Sequence, residues 1–457
     1  MDVVLADLPL AHLRGESAVE SPNLGLLFIA EYVRKRMPFV KFHYLEPFLT
    51  VQEHVKRVAE VKPNVYGLSF TTVTKDQSYR LINHLKNLFP EMIVVVGGTH
   101  PTVAPEEVFS MSGADVCVMG EGEETFLRLL QNNFKDLEGI EGIAYRGNGG
   151  VVVNPPRKPL ADIDFFPAWD MVDFNNYEVT VTKKHVAAYV MPNRGCPNRC
   201  TFCSNPVWRY GGSWCRKRSP QSVAEEVKYL YGRGVREIFL RSDTFNVDVS
   251  WAVEVCKAIR GLGFKDLFFQ CNLRADKVTD ELADGLASIN CWLVHVGIES
   301  GNDRVLYGIR KRITVDDVLR SCEVLRKRRV QVYGFFMLYN AWEENGMLCY
   351  ETSREVDDTL KFALFLLRKK LISYMSWSVA TPIMGSDLHD IALKHGVLNT
   401  GSKFPMTLPD ISEKEMSLRL LKGMALQAWA SLLHRQFGWR TRMRVVRKVR
   451  LMVEKLV

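Results

Sequence analysis

Three of the chain's ten cysteines, Cys196, Cys200 and Cys203, fall in the stretch Arg194-Gly195-Cys196-Pro197-Asn198-Arg199-Cys200-Thr201-Phe202-Cys203 with the spacing CxxxCxxC. A loop this short can turn three thiolates toward one point, and three soft ligands are one fewer than a closed tetrahedral site uses. A metal centre held there keeps an open corner for chemistry. Closing the set as a zinc site needs a further Cys or His in register, and the only candidate, Cys215, lies twelve residues on. Scattered core cysteines are the plainer alternative. The loop directly follows Val186-Ala187-Ala188-Tyr189-Val190-Met191, an apolar run that reads as a strand, so the thiols sit at a strand end.

The elements that must position this loop continue after it. Apolar segments recur at Glu237-Ile238-Phe239-Leu240, Asp266 to Asn272, Cys291 to Gly297, Val330 to Met337 and Tyr374 to Trp377, with helical stretches between them. With the first strand that makes six βα units, too few for a closed eight-fold barrel. Polar residues end these strands: Ser242-Asp243 after the second, Asn272 and Arg274 after the third, Glu299-Ser300 after the fourth.

The first 130 residues alternate in the same way. Strands read at Asp2 to Leu10, Lys41 to Leu45, Val65 to Phe70, Met92 to Val96 and Asp115 to Met119, and their unbroken apolar runs imply a parallel sheet covered on both faces. This is an open α/β fold of Rossmann type. Ligands of such sheets lie beyond the carboxyl ends of the strands, where Ser69, Thr71, Gly97, Gly98, Thr99, His100, Gly120, Glu121, Gly122 and Glu123 fall. Residues 141–184 read as a connection, with a Gly147-Asn148-Gly149-Gly150 turn, Pro155, Pro156 and Pro159, and the aromatic run Phe165-Phe166-Pro167-Ala168-Trp169.

The cysteine loop, with Gly297-Ile298-Glu299-Ser300-Gly301 matching a GxESG segment and Thr381-Pro382-Ile383-Met384-Gly385-Ser386 close to TPxPGT, resembles the signature of the radical S-adenosylmethionine enzymes. GGTHPT at 97–102, GEGEETF at 120–126 and Pro22-Asn23-Leu24-Gly25-Leu26 look like the cobalamin-binding domain that precedes the catalytic domain in the methylase and cyclase class of that family. The resemblance implies residues 1–140 as a Rossmann-like cobalamin-binding domain, 141–184 as linker, 185–396 as a partial (β/α)6 barrel and 397–457 as a basic helical segment. It implies that Cys196, Cys200 and Cys203 hold a 4Fe-4S cluster and that S-adenosylmethionine occupies the vacant iron. Phe202 would lie against its adenine, Ser242 and Asp243 would meet its ammonium, Asn272 and Arg274 its carboxylate, and Glu299 and Ser300 would reach toward it. The DxHxxG motif that supplies a lower-face histidine to cobalamin in mutases is absent, which leaves His100 as the nearest histidine to the presumed corrin. Cys117 is the only cysteine in the first 140 residues, which disfavours a methylthiotransferase.

The formal net charge is +8, yet residues 435–457 hold eight Lys/Arg and one Glu and so carry +7 of it. A near-neutral body argues against a nucleic-acid groove. In the terminal stretch Trp439, Met443, Val446, Val449, Val453 and Leu456 recur at helical spacing among the basic residues, a pattern suited to packing on the barrel or to peripheral contact with an anionic membrane. No apolar run of membrane-spanning length and no signal peptide is evident, so the chain is expected in the cytoplasm, possible contact with the inner membrane face aside. The family resemblance implies a cobalamin-dependent methyltransferase acting on an unactivated carbon of a small-molecule, lipid or tetrapyrrole substrate. A low-potential donor such as flavodoxin or ferredoxin would supply its electron. The alternatives are a cyclase or rearrangement enzyme with the same machinery, and, from another class, a non-catalytic metal-binding protein.

Overall fold

Val3, Val4, Leu5 and Ala6 are all at most 2% exposed, as an unbroken apolar strand must be when helices cover both faces of its sheet. The computed structural model describes residues 1–8, 20–209, 212, 215–399 and 401–433. Two compact units result, Met1–Val179 with Asn205–Arg216, and Thr180–Ser204 with Lys217–Val457.

In the first unit β1 (Asp2–Asp7), β2 (Lys41–Leu45), β3 (Val65–Ser69), β4 (Ile93–Gly97) and β5 (Val116–Val118) run parallel in the order β2-β1-β3-β4-β5. Because side chains alternate along a strand, Val3 and Leu5 join the core under helices Leu24–Arg34 and Glu123–Gln131. Val4 and Ala6 join the opposite core, under helices Val51–Val61, Lys75–Leu88 and Pro105–Met111. The strand order reverses beside β1, the switch point where such sheets open a crevice at their carboxyl edge.

The stretch read as a connection carries two strands of its own. β6 (Ile143–Gly147) pairs antiparallel with β5, and β7 (Gly150–Val153) pairs with β6 across the two-residue Asn148-Gly149 turn. Asn-Gly is a strong turn signal, and the positive φ of this hairpin, +131°, falls on the next residue, Gly150. The first unit thus extends to Val179, with Trp169 and Phe174 buried inside it and Ala168 N donating to Leu27 O at 3.1 Å.

The second unit is the six-stranded parallel sheet expected. β8 (Ala187–Val190), β9 (Glu237–Leu240), β10 (Phe268–Leu273), β11 (Cys291–Glu299), β12 (Gln331–Leu338) and β13 (Tyr374–Val379) pair in sequence, with β8 and β13 as its two edges. Ile238, Leu240, Cys271, Val294, Val296 and Val332 are at most 1% exposed. The carbonyl-end loops carry the polar residues, as in a barrel whose chemistry sits at one rim. A final helix, Glu413–Leu433, is fastened to the unit by Arg419 Nε on Asp357 Oδ1 at 3.1 Å and by Tyr339 OH donating to Glu415 O at 3.2 Å. The basic run at 435–457 lies outside the described residues. Among the described residues no helix is long and apolar enough to cross a membrane.

Candidate functional site

The cysteine loop leaves the carboxyl end of β8 and is stitched to its surroundings through the backbone. Gly195 N donates to Asp243 Oδ2 at 2.8 Å, Thr201 N to Ile309 O at 3.0 Å, and Leu388 N to Thr201 O at 2.8 Å. Cys196 is buried, and its sulfur accepts from Asn198 Nδ2 at 3.1 Å and Thr244 Oγ1 at 3.4 Å. Donors aimed at sulfur stabilise a thiolate and tune an iron-sulfur centre bound through it. Cys200 and Cys203 are half-buried, with Cys203 N bonded to Cys200 O at 3.1 Å. Burial pushes the Cys200 thiol up, while Lys311 and Arg274 pull it back toward ionisation. Among the described residues no three His, Cys, Asp or Glu side chains already converge as a ligand set, so the fold gathers the thiols on one loop without closing them on a point.

Beside that loop three buried side-chain oxygens, Asn193 Oδ1, Thr201 Oγ1 and Ser242 Oγ, have no hydrogen-bond partner. A buried polar atom without a partner is uncommon, and at a strand-end rim it fits contact with a polar ligand. Ser242 is further fixed by Asn272 Nδ2, which donates to its carbonyl at 2.9 Å. Arg274 is less open: its guanidinium is committed to Asp276 Oδ1 at 3.0 Å and to Lys311 O at 2.8 Å. Ser300 also turns inward, its hydroxyl 3.0 Å from Thr359 Oγ1 and 3.4 Å from Glu351 Oε1. Phe202 is half-buried, with Lys311 Nζ 5.9 Å from its ring centre.

Glu299 holds a left-handed backbone, φ +64°, at the end of β11, and its Oε1 accepts from Lys311 Nζ at 2.8 Å. A non-glycine residue in that region at a site rim stores strain that its surroundings must hold. Space for the pair comes from Gly297, where a Cβ would stand 2.4 Å from Glu299 Oε1 and 2.7 Å from Lys311 Nζ. Burial alone would lower the Lys311 pKa, but Glu299 and Cys200 outweigh it and the group stays charged. Neither Lys311 nor Glu351 is picked out by the sequence motifs. Glu351 is fully buried, accepts from Asn340 N at 3.1 Å and Nδ2 at 3.0 Å, and is pushed up to about 7 by burial.

In the first unit the three glycine-bearing loops meet at the carboxyl edge. Gly98, at φ +102°, passes so close to β3 that a Cβ would stand 2.6 Å from Phe70 O. Thr102 joins two of the loops, donating to Gly98 O at 2.7 Å and accepting from Gly120 N at 3.1 Å. Ser69, Thr99 and Gly97 are half-buried at this edge and Thr71 is exposed. Glu121 accepts from Leu160 N at 3.0 Å and from both terminal nitrogens of Arg216, while Gly122 and Glu123 are buried where the helix Glu123–Gln131 begins. His100 follows β4 at this edge, its backbone N 3.4 Å from Phe70 O, but its ring points inward. It is fully buried, its Nε2 2.8 Å from Tyr79 OH and its Nδ1 3.2 Å from Thr72 Oγ1, which fills both ring positions inside the domain. Asp7, at the end of β1, is a residue the motifs miss; burial pushes its carboxyl up to about 6 against the bond it receives from Asn23.

Both units match known families. Residues 12–130 match the B12 binding domain and residues 190–363 the radical SAM superfamily. An uncharacterized methyltransferase of Pyrococcus horikoshii is 31% identical over 386 residues, covering 83% of this chain and 80% of its own length. An anaerobic magnesium-protoporphyrin IX monomethyl ester cyclase of Rubrivivax gelatinosus is 28% identical over 351 residues, covering 73% of this chain and 59% of that one. Among solved structures, the radical S-adenosylmethionine methyltransferase TsrM of Kitasatospora setae, with cobalamin and a [4Fe-4S] cluster bound, shares the fold with a TM-score of 0.71 at 15% identity, covering 99% of each chain.

Proposed function

This chain belongs to the radical SAM enzymes that carry an N-terminal B12-binding domain, and on that premise we propose that it methylates an unactivated carbon of a small-molecule, lipid or tetrapyrrole substrate. The reading is supported above all by the presence in one chain of a three-cysteine strand-end loop with donors directed at its first sulfur and a glycine-lined Rossmann-type edge. Bound there, a 4Fe-4S cluster with S-adenosylmethionine supplies a deoxyadenosyl radical and cobalamin supplies a methyl carrier. The chain's own residues do the rest. Cys196, Cys200 and Cys203 would hold the iron; Asn198 and Thr244 would stabilise the first thiolate, and Lys311 sets positive charge near the second.

Ser242, with its unpartnered hydroxyl, and Asp243 receive the methionine ammonium, while Glu299, held by Lys311, orients the ribose or amino end of the same molecule. Phe202 covers the adenine, Asn272 steadies Ser242, and Ser300 braces the Glu299 turn through Thr359 and Glu351. Arg274 acts through Lys311, whose carbonyl it binds. In the first unit Ser69, Thr71, Gly97, Gly98, Thr99 and the backbone of 120–123 line the corrin edge. His100 braces that edge from the core. A flavodoxin- or ferredoxin-type donor provides the electron.

A second reading, cyclisation or rearrangement without net methylation, is favoured by the likeness to the cyclase of Rubrivivax gelatinosus. Cobalamin-loaded protein, reduced without oxygen and given S-adenosylmethionine, separates the two. Methylation requires S-adenosylhomocysteine to form alongside 5'-deoxyadenosine, whereas cyclisation yields 5'-deoxyadenosine alone. Absence of S-adenosylhomocysteine from loaded, reduced protein would rule out the methylation reading.

A further inference from the structure

The inward face of the second unit's sheet is lined differently from its helix-covered face. Residues pointing inward alternate with fully buried ones: on β12 Tyr333 is half-buried and Phe335 38% exposed, while Val332, Gly334 and Phe336 are buried. The inward side chains form a run of stacked rings. Phe239 lies 4.6 Å from His295 with planes at 28°, His295 lies 5.1 Å from Tyr333 at 9°, and Tyr333 lies 5.1 Å from Phe335 at 28°. His295 Nε2 is 2.8 Å from Gln270 Oε1, and burial pushes its pKa down to about 3, so this ring is neutral at physiological pH. The rings lie face to face on one another, with Tyr333 also stacked on Tyr374 at 5.9 Å, and the run is open to solvent at its Phe335 end.

One cation stands on it. Arg241 is exposed, with its backbone N fixed to Val190 O at 2.7 Å and its guanidinium carbon 5.2 Å from the Phe239 ring centre and 5.7 Å from that of Tyr189. Among the described residues no carboxylate lies within ion-pair distance of it. In the same unit Arg218, Arg236, Arg274, Arg304, Arg310 and Arg328 each hold one. The carboxylate four positions before it, Glu237, is taken up by Thr182 Oγ1, Lys183 N, Lys184 N, Gln270 Nε2 and Trp292 Nε1. Asp243, two positions after it, accepts from Gly195 N. An arginine on ring faces with no carboxylate to bind is a ready receiver for the planar, bidentate oxygens of a carboxylate or phosphate. It directly precedes Ser242-Asp243, the pair assigned above to S-adenosylmethionine.

We propose that Arg241 is the anion anchor of the substrate site, and that the substrate of the reaction inferred above is an anionic molecule with a flat aromatic or conjugated body that continues the ring run by stacking on the exposed Phe335. This rests on the methyl-transfer reading for the identity of the site as a substrate site, but its binding test requires no turnover. The full-length, cluster-reconstituted protein is titrated with 1-pyrenebutyrate, with 1-pyrenebutanol as the neutral counterpart and dodecanoate as the flexible anion, following pyrene fluorescence and its displacement. The acid should bind at least tenfold more tightly than the alcohol, and dodecanoate should compete at least tenfold less well than the flat acid. Arg241→Gln should erase the preference for acid over alcohol, and Arg241→Lys should keep part of it. Phe335→Leu should weaken acid and alcohol together, which separates the ring run from the charge. Equal binding of acid and alcohol by the unaltered protein, a preference that survives Arg241→Gln, or failure of both probes to bind at millimolar concentration would each overturn the inference. Loss of S-adenosylhomocysteine formation would instead overturn the reaction type and leave the probe preference standing.

Discussion

Gly297 shows how much of this site depends on single atoms. Because its missing side chain leaves room for the Glu299–Lys311 pair, Gly297→Ala must push one partner aside. We expect the Kd for S-adenosylmethionine, measured by titration calorimetry on reconstituted protein, to rise about tenfold, equivalent to about 1.4 kcal/mol. Glu351 makes a different kind of prediction. A buried carboxyl whose pKa is raised from 4.5 to about 7 binds its proton more tightly folded than unfolded. Its contribution to stability is therefore fully present below about pH 4.5 and is lost as pH rises toward 7, a change of about 3 kcal/mol. Glu351→Gln keeps the hydrogen-bonding shape without the titration, so its stability in urea should be flatter than that of the unaltered chain between those pH values. At this scale the cysteines were legible because their chemistry is written in their spacing. Lys311 and Glu351 were not, because Lys311 meets Glu299 only past the helix Asp303–Gly308 and Glu351 meets Asn340 only across the hairpin of 341–350. The orientation of His100 is not legible either: adjacency to Gly97-Gly98 in sequence places it at the edge, while its ring turns back between Tyr79 and Thr72.

At the scale of elements the strands were readable because parallel strands covered on both faces are continuously apolar, and all five of the first sheet's parallel strands and all six of the second's fall where those runs are. Of the hairpin β6–β7 only the turn at Asn148-Gly149 is legible in the sequence, since β7, with Val151, Val152 and Val153 half-buried or exposed, lacks a buried run to mark it as part of a core. The barrel's first helix, Pro220–Gly232, is tied to the chain before it by the buried Arg218–Glu226 pair, whose side chains are at most 1% exposed. Arg218 also donates to Ser222 O, and its carbonyl receives Trp251 Nε1 at 2.8 Å. Removing one charge of such a pair strands the other without solvent, at a cost of about 3–5 kcal/mol. Glu226→Ala should lower stability in urea by that amount, and Glu226→Ala with Arg218→Met should recover part of the loss.

Across the whole molecule the charge is unevenly divided. Residues 435–457 carry +7 of the net +8, so a chain ending at Leu433 should lose most of its retention on a cation-exchange column at neutral pH. Deoxyadenosine formation should persist in that shorter chain, because the described anchors of the last helix, Arg419 on Asp357 and Tyr339 on Glu415, precede the basic run. The account as a whole stands on three thiols binding iron so that one corner stays free for S-adenosylmethionine. Its most direct measurement is 5'-deoxyadenosine release by the oxygen-free, reconstituted full chain beside its Cys200→Ala variant. The unaltered chain should release it on reduction and the variant none; release by the variant at an undiminished rate would contradict the account.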